Sequence, residues 1–271
     1  MPEHCVECQT RPAYIALTEL GLELDADLRA RFTRQQVPPG ACLFMGKHYA
    51  HSKTILFTLN PTPHAADLPR APIETSLFRA GLHWEGARKA RYRNWTGGRH
   101  LFKAMVTAAP WFEPELAQAT DALIVPWPSR DWASMLRSSA WPQIRDYSQR
   151  VFSQILRDHR PDVVFTSGKY SRDLFWAFLG VGRPKPVDVW RSPTARNWDS
   201  EWFHLEDVEV DEIAMPSLSV FRLPHFSRFN RKQFVAIGAW VAERLPTSGK
   251  EMNDGERPAG PSPTDKLKPI A

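Results

Sequence analysis

Three cysteines in 271 residues cannot form a disulfide framework. That excludes the small cross-linked secreted folds and fits a reducing compartment. No apolar run approaches the roughly 18 residues that a membrane-spanning helix requires. The first residues, Met1-Pro2-Glu3-His4-Cys5, carry neither a basic segment nor an apolar one, so no secretory leader is read there. The expectation is a cytoplasmic protein that does not engage a membrane. An internal repeat is also lacking, which sets aside solenoid and propeller architectures.

What is present is globular in character. Hydrophobic residues make up 42% of the chain and charged residues 24%, enough apolar surface for a core. The net charge of +5 is unevenly placed. Residues 70–103 hold Arg70, Arg79, Arg88, Lys89, Arg91, Arg93, Arg99 and Lys103 against Glu74 and Glu85, a local excess of +6. Residues 196–212 reverse this, with seven acidic groups against Arg196 alone. A one-sided basic stretch favours a polyanionic partner, read here as DNA, although a solvated helix face has the same look. Eleven tryptophans are many for this length. Most belong in a core, and any at a pocket rim could stack on bases.

Four short apolar runs alternate with helical patterns. Residues 54–59, 121–125, 162–165 and 219–223 read as buried strands. They are stopped in turn by Asn60-Pro61, Pro126-Trp127-Pro128, Thr166-Ser167-Gly168 and Pro224-His225. Continuous apolar runs separated by helices predict a parallel sheet covered on both faces. Residues 141–159 place Ile144, Tyr147, Val151 and Ile155 at helical spacing, and residues 171–179 form a shorter helix closed by Gly180. Residues 230–245 open with Asn230 and Gln233 as a capping box and set Phe234, Ile237, Val241 and Leu245 on one stripe. Pro246 ends that helix. Residues 247–271 are polar, carry four prolines and lack periodicity, which predicts a disordered tail. The expected organisation is one α/β domain over residues 1–246, followed by that tail. Its three layers, α/β/α, would surround a central four-stranded, mainly parallel sheet.

In an open parallel sheet, ligands bind beyond the carboxyl ends of the strands. Asn60, Pro126-Trp127, Ser167-Gly168 and His225 would then share one edge. The sequence around them reads Thr58-Leu59-Asn60-Pro61 at the first strand and His225-Phe226-Ser227-Arg228-Phe229-Asn230 at the last. Between them lie Asn94-Trp95-Thr96-Gly97-Gly98-Arg99 with Leu101-Phe102, then Val125-Pro126-Trp127, then Gly168-Lys169. In this order the segments resemble the motifs of the uracil-DNA glycosylase superfamily, over roughly residues 54–243. Thr58 stands in the glycine position of that family's first motif and Phe226 in the proline position of its last. The glycine-rich helix start at Asn94–Arg99 is similar to that of the mismatch-specific branch.

The resemblance implies a monomeric enzyme that flips a base from DNA and hydrolyses its N-glycosidic bond. Breaking that bond puts positive charge on the sugar and negative charge on the departing base, so a water must be positioned and an anion stabilised. Asn60 and His225 are the expected catalytic pair. The Asn60 amide can orient a water but is no strong base, and His225 can donate a hydrogen bond to the base oxygen that gains charge. Pro61, Ile73, Phe78, Leu123 and Trp127 are the expected lining of the base pocket. Ser227, Gly168, Lys169 and the N–H groups after Asn230 would hold phosphates. Arg88, Lys89, Arg91, Arg93 and Arg99 would face the backbone. Phe229, or Arg228, would wedge into the space left by the flipped nucleotide. Each residue alone has a plainer reading: Asn60-Pro61 a turn, His225 a loop histidine, Asn230 a helix cap, Phe229 a core side chain.

Two absences bear on chemistry. Uracil-reading branches carry an Asn near the place of Leu123, and a leucine cannot make paired hydrogen bonds to a Watson–Crick edge. A modified pyrimidine, such as a hypermodified phage cytosine, is therefore expected ahead of plain uracil. The interval between Pro61 and Gly97, which holds the basic stretch, is also longer than in the mismatch-specific branch. No lysine lies in either terminal motif, so lyase chemistry through a Schiff base is not expected. Cys5 and Cys8, with His4, would supply three of the four ligands of a zinc site, an incomplete set. An iron–sulfur cluster would need four cysteines, and only Cys42 remains. The expectation is no metal and no cofactor. Competing readings are a catalytically weak nucleic-acid-binding protein on the same fold, a uracil or mismatch repair glycosylase, and a hydrolase of free nucleosides.

Overall fold

The computed structural model describes residues 12–31, 52–59, 96–117, 119–127, 131–193, 199–225 and 231–246. In chain order these form α1 (Pro12–Arg31), β1 (Thr54–Thr58), α2 (Thr96–Ala108), a 3-10 turn (Pro110–Phe112) and α3 (Glu113–Ala117). Next come β2 (Thr120–Leu123), α4 (Trp132–Arg137), α5 (Trp141–His159), β3 (Val163–Ser167) and α6 (Lys169–Leu179). The last elements are β4 (Asp188–Trp190), β5 (Ser200–Val210), β6 (Ile213–Leu223) and α7 (Arg231–Ala242). Residues 247–271, expected as a tail, lie outside the described residues.

The sheet has six strands in the order β2-β1-β3-β6-β5-β4, which corrects the expectation of four. The four apolar runs do supply β2, β1, β3 and β6, which pair in parallel. β5 and β4 add an antiparallel extension on the far side of β6. β6 also begins earlier than expected, at Ile213 rather than residue 219. The missed segment is a ribbon buried on one face only. Val208, Val210, Ile213 and Met215 are inside, while Glu206, Glu209, Ala214 and Pro216 face out. Such a strand alternates, and its acidic outer face masked it within a charged stretch. The turn uses positive φ at Asp211 and Glu212, of 46° and 66°, and the Ser153 hydroxyl on α5 donates to the Asp211 carboxylate at 2.5 Å.

Alternation across the pleat divides the core in two. Phe57, Val164, Phe203 and Val220 point toward α5 and α6, where they meet Phe152, Phe175 and Trp176. Leu56, Phe165, Phe221 and Leu223 point the other way and pack on Leu101, Phe102 and Met105 of α2 and on Phe234, Ile237 and Val241 of α7. Helices thus cover both faces. α2 and α7 approach so closely that a Cβ on Gly238 would lie 2.2 Å from the Leu101 carbonyl oxygen. α1, not read from sequence, lies on α5, and the Tyr147 hydroxyl donates to the Leu17 carbonyl at 3.2 Å. Pro12 at its first turn and leucines at 17, 20, 24 and 28 were its signal. No helix among the described residues is long and apolar enough to cross a membrane.

Candidate functional site

Because β2, β1, β3 and β6 run in parallel, their carboxyl ends lie on one edge of the sheet. Pairing continues slightly past β1 and β2: the Ile124 N–H donates to the Thr58 carbonyl at 2.9 Å and the Val125 N–H to Leu59 at 2.8 Å. Leu59 is therefore delivered to the edge. Asn60, the next residue, lies outside the described residues, as do Pro61, Ile73 and Phe78. Leu123 and Trp127 are both fully buried. Trp127 packs edge-on to Tyr147 of α5, with ring centroids 6.2 Å apart.

The best-defined part of the edge is where β3 and β6 end. The Gly168 N–H donates to the Leu223 carbonyl at 2.9 Å, tying the two exits together. Gly168 adopts φ +90°, a conformation that favours glycine because a side chain there is strained. A Cβ at that position would also touch the imidazole of His225, whose Cδ2 would be 3.6 Å away. His225 thus lies close enough to Gly168 that any side chain placed there would meet it. His225 itself is exposed, two residues beyond β6.

Gly168 also serves as the N-cap of α6. That helix begins at Lys169 rather than at residue 171 as expected, and the Ser171 hydroxyl donates back to the Ser167 carbonyl at 2.5 Å. Lys169 and Tyr170 are exposed at its first turn. Tyr170 lies beside Trp132 of α4, with centroids 6.2 Å apart, and Trp132 meets Trp141 of α5 at 5.3 Å and 85°. This aromatic trio stands at the first turns of three helices. Sequence reasoning allowed for tryptophans at a rim but did not identify these. Their shared signal is an aromatic at or beside a helix start: Asp131 caps α4 just before Trp132, its carboxylate accepting from the Ala133 and Ser134 N–H groups. Those bonds, the Ser134 hydroxyl first, hold the Asp131 carboxyl below its ordinary pKa.

Beneath the edge, on the α6 side of the sheet, lies a group of charges that the sequence reading did not use. Glu201 of β5 accepts from Arg172 Nη1 of α6 at 2.8 Å and from Arg183 Nη2 at 2.9 Å. Arg172 also pairs with Asp173. Burial would depress the Arg172 pKa, but its hydrogen bonds to Glu201 and Asp173 raise it overall.

Of the remaining expected DNA contacts, Ser227, Arg228, Phe229 and Asn230 lie outside the described residues, as do Arg88, Lys89, Arg91 and Arg93. Arg99 falls in the first turn of α2, and its side chain is outside the described ones. His4, Cys5, Cys8 and Cys42 also lie outside them. The structure thus brings together Gly168 and His225, with Lys169 next in the chain, while Leu123 and Trp127 are buried at the end of β2, which β1 separates from β3. No protein-family model and no curated protein matches the chain.

Proposed function

We propose that the chain is a monofunctional DNA glycosylase, acting as a monomer and without a cofactor, on a glycosylase-like fold. In this reading the four parallel strands are the glycosylase-like unit, and β5 and β4 are an addition to it. The observation that carries the proposal is the carboxyl edge. His225 rests on Gly168 there, and β1, paired with β3, leads to the same edge directly before Asn60.

The chemistry follows from those groups. A water oxygen bonds to the sugar C1′ as the C1′–N bond breaks. The electron pair of that bond leaves with the base, and the proton from water passes to the departing base or to solvent. Asn60 orients the water through its amide. His225, as a neutral imidazole, donates a hydrogen bond to the base oxygen on which charge collects, an electrostatic contribution that grows toward the transition state. Because an amide is a weak base, the reaction suits a good leaving group. Leu123 lacks the paired donor and acceptor that would select uracil. The proposed substrate is accordingly a modified pyrimidine.

The test is incubation with DNAs that carry a panel of modified pyrimidines, then alkali cleavage of the strand and mass analysis of the freed base. The proposal expects a released modified base and an alkali-labile site. Intact modified DNA alongside excision of plain uracil would reassign the substrate. Binding without any release would favour the second reading, a nucleic-acid-binding protein, which the weak basicity of Asn60 supports.

A further inference from the structure

Arg222 lies on β6, three residues before His225, and is only 7% exposed. A buried guanidinium is normally paired with a carboxylate, because an unpaired charge in a low-dielectric interior is costly. Among the described residues Arg222 makes no ion pair. Its strand neighbour Glu201 is the obvious partner, but both Glu201 oxygens are taken by Arg172 and Arg183. Asp199 presents its backbone carbonyl to Arg222 Nη1, while its carboxylate accepts from the Ser192 N–H at 2.7 Å. Among the described residues Arg222 Nε has no hydrogen-bond partner, and neither has the buried hydroxyl of Thr166. Thr166 is the residue beside Arg222 on β3, so two unsatisfied groups face the same side of adjacent strands.

We infer that Arg222 anchors a binding subsite for a phosphate-type oxyanion at the carboxyl edge, with the Thr166 hydroxyl as a second donor. Three observations converge on an anion. Arginine offers only donors, and its fork matches a tetrahedral oxyanion. Arg172 and Arg183 hold both oxygens of Glu201, so that carboxylate gives Arg222 no ion pair. The first turn of α6 starts three residues after Thr166, at the same edge, and a helix N-terminus favours negative charge. Burial pulls the Arg222 pKa down. Glu201 and Asp199 oppose that effect, whereas Arg172 and Arg183 reinforce it. A bound anion would reverse the deficit. The chemistry is the same for a DNA phosphodiester and for free phosphate, and the subsite does not depend on base excision.

The experiment follows the Arg222 Nε–H resonance and the melting temperature of the full chain at constant ionic strength. Inorganic phosphate and single-stranded oligothymidylate are titrated separately against chloride. The expected result is a saturable shift of that resonance and a rise in melting temperature. Affinity should fall at least tenfold in Arg222→Lys, which keeps the charge but lacks Nε, and a few-fold in Thr166→Val. Arg222→Met should melt no lower than the wild type without ligand, since it removes an unpaired buried charge. Competition by oligothymidylate would assign the subsite to a DNA phosphate, and its absence to free phosphate. The inference is overturned if neither probe moves the resonance, as when an internal water satisfies both groups. Unchanged phosphate affinity in Arg222→Lys would also overturn it.

Discussion

The two halves of the sheet differ in how they use their charges. In the antiparallel half, charges are paired and used to hold helices. Glu201 on β5 fastens α6 through Arg172. Asp188 on β4 accepts from Trp240 Nε1 at 3.0 Å and from Arg244 Nε at 2.7 Å, fastening α7 and the residues after it. In the parallel half, strands run into the carboxyl edge and leave polar or strained groups there: Gly168 at φ +90°, His225 above it, and the Thr166 hydroxyl unsatisfied. Arg222 sits on β6, the strand shared by both halves, with Thr166 on one side and Glu201 on the other. The contrast is one of charge: the carboxylates of β4 and β5 are paired within the fold, although among the described residues the Ser200 hydroxyl and Trp202 Nε1 on β5 are as unsatisfied as the Thr166 hydroxyl on β3.

That contrast can be broken at its strongest point. Glu201→Ala removes the carboxylate that Arg172 and Arg183 share, and Arg172 is nearly buried. Breaking a buried ion pair costs about 3–5 kcal/mol. Arg172 keeps Asp173 as a second partner, so chemical denaturation should show a loss of about 3 kcal/mol, at the low end of that range. Little loss would mean that the antiparallel half does not depend on its charges.

A second substitution tests the packing behind the sheet. Gly238→Ala would drive a methyl group into the Leu101 carbonyl, and overpacking of this kind costs about 1–3 kcal/mol. The α2–α7 pair should separate slightly, detectable as a lower melting temperature and faster amide exchange in both helices. Unchanged exchange would show that the helices shift at no cost.

The smallest effect is expected at Asp188, whose side chain is 40% exposed. Its carboxyl is held below the ordinary value by the Trp240 hydrogen bond first, then by the Val189 N–H and Arg244. A carboxyl with a depressed folded pKa adds stability above its unfolded pKa, near 4. That stability is lost as pH falls through the lower folded value. Asp188→Asn should therefore cost about 1 kcal/mol at neutral pH, and the difference should vanish in acid. A difference that persists at low pH would show that the group acts by shape alone.

The same division explains which parts were legible in the sequence. Strands buried on both faces must be apolar at every position, so runs such as residues 54–59 and 162–165 stand out against their surroundings. β5 and the first half of β6 are buried on one face, and Glu206, Asp207 and Glu209 blur their alternation. β4 is three residues long, too short for any pattern. At the edge, Gly168 and His225 could be placed because strand order in a parallel sheet brings carboxyl ends together. The Arg222 site could not be read, because it depends on the register that sets Thr166 beside Arg222 and Glu201 beyond it. Sequence spacing says nothing about which of three arginines will take a shared glutamate.

The most direct test of the edge as a catalytic site is single-turnover release of a modified pyrimidine by the wild type and by His225→Ala, with DNA affinity measured in parallel. His225 is exposed and rests on a glycine backbone, so its loss should leave the fold intact. Removing a donor to the developing anion should slow release by about 100-fold or more, while affinity stays within about threefold. Equal release rates for the two proteins would contradict the account.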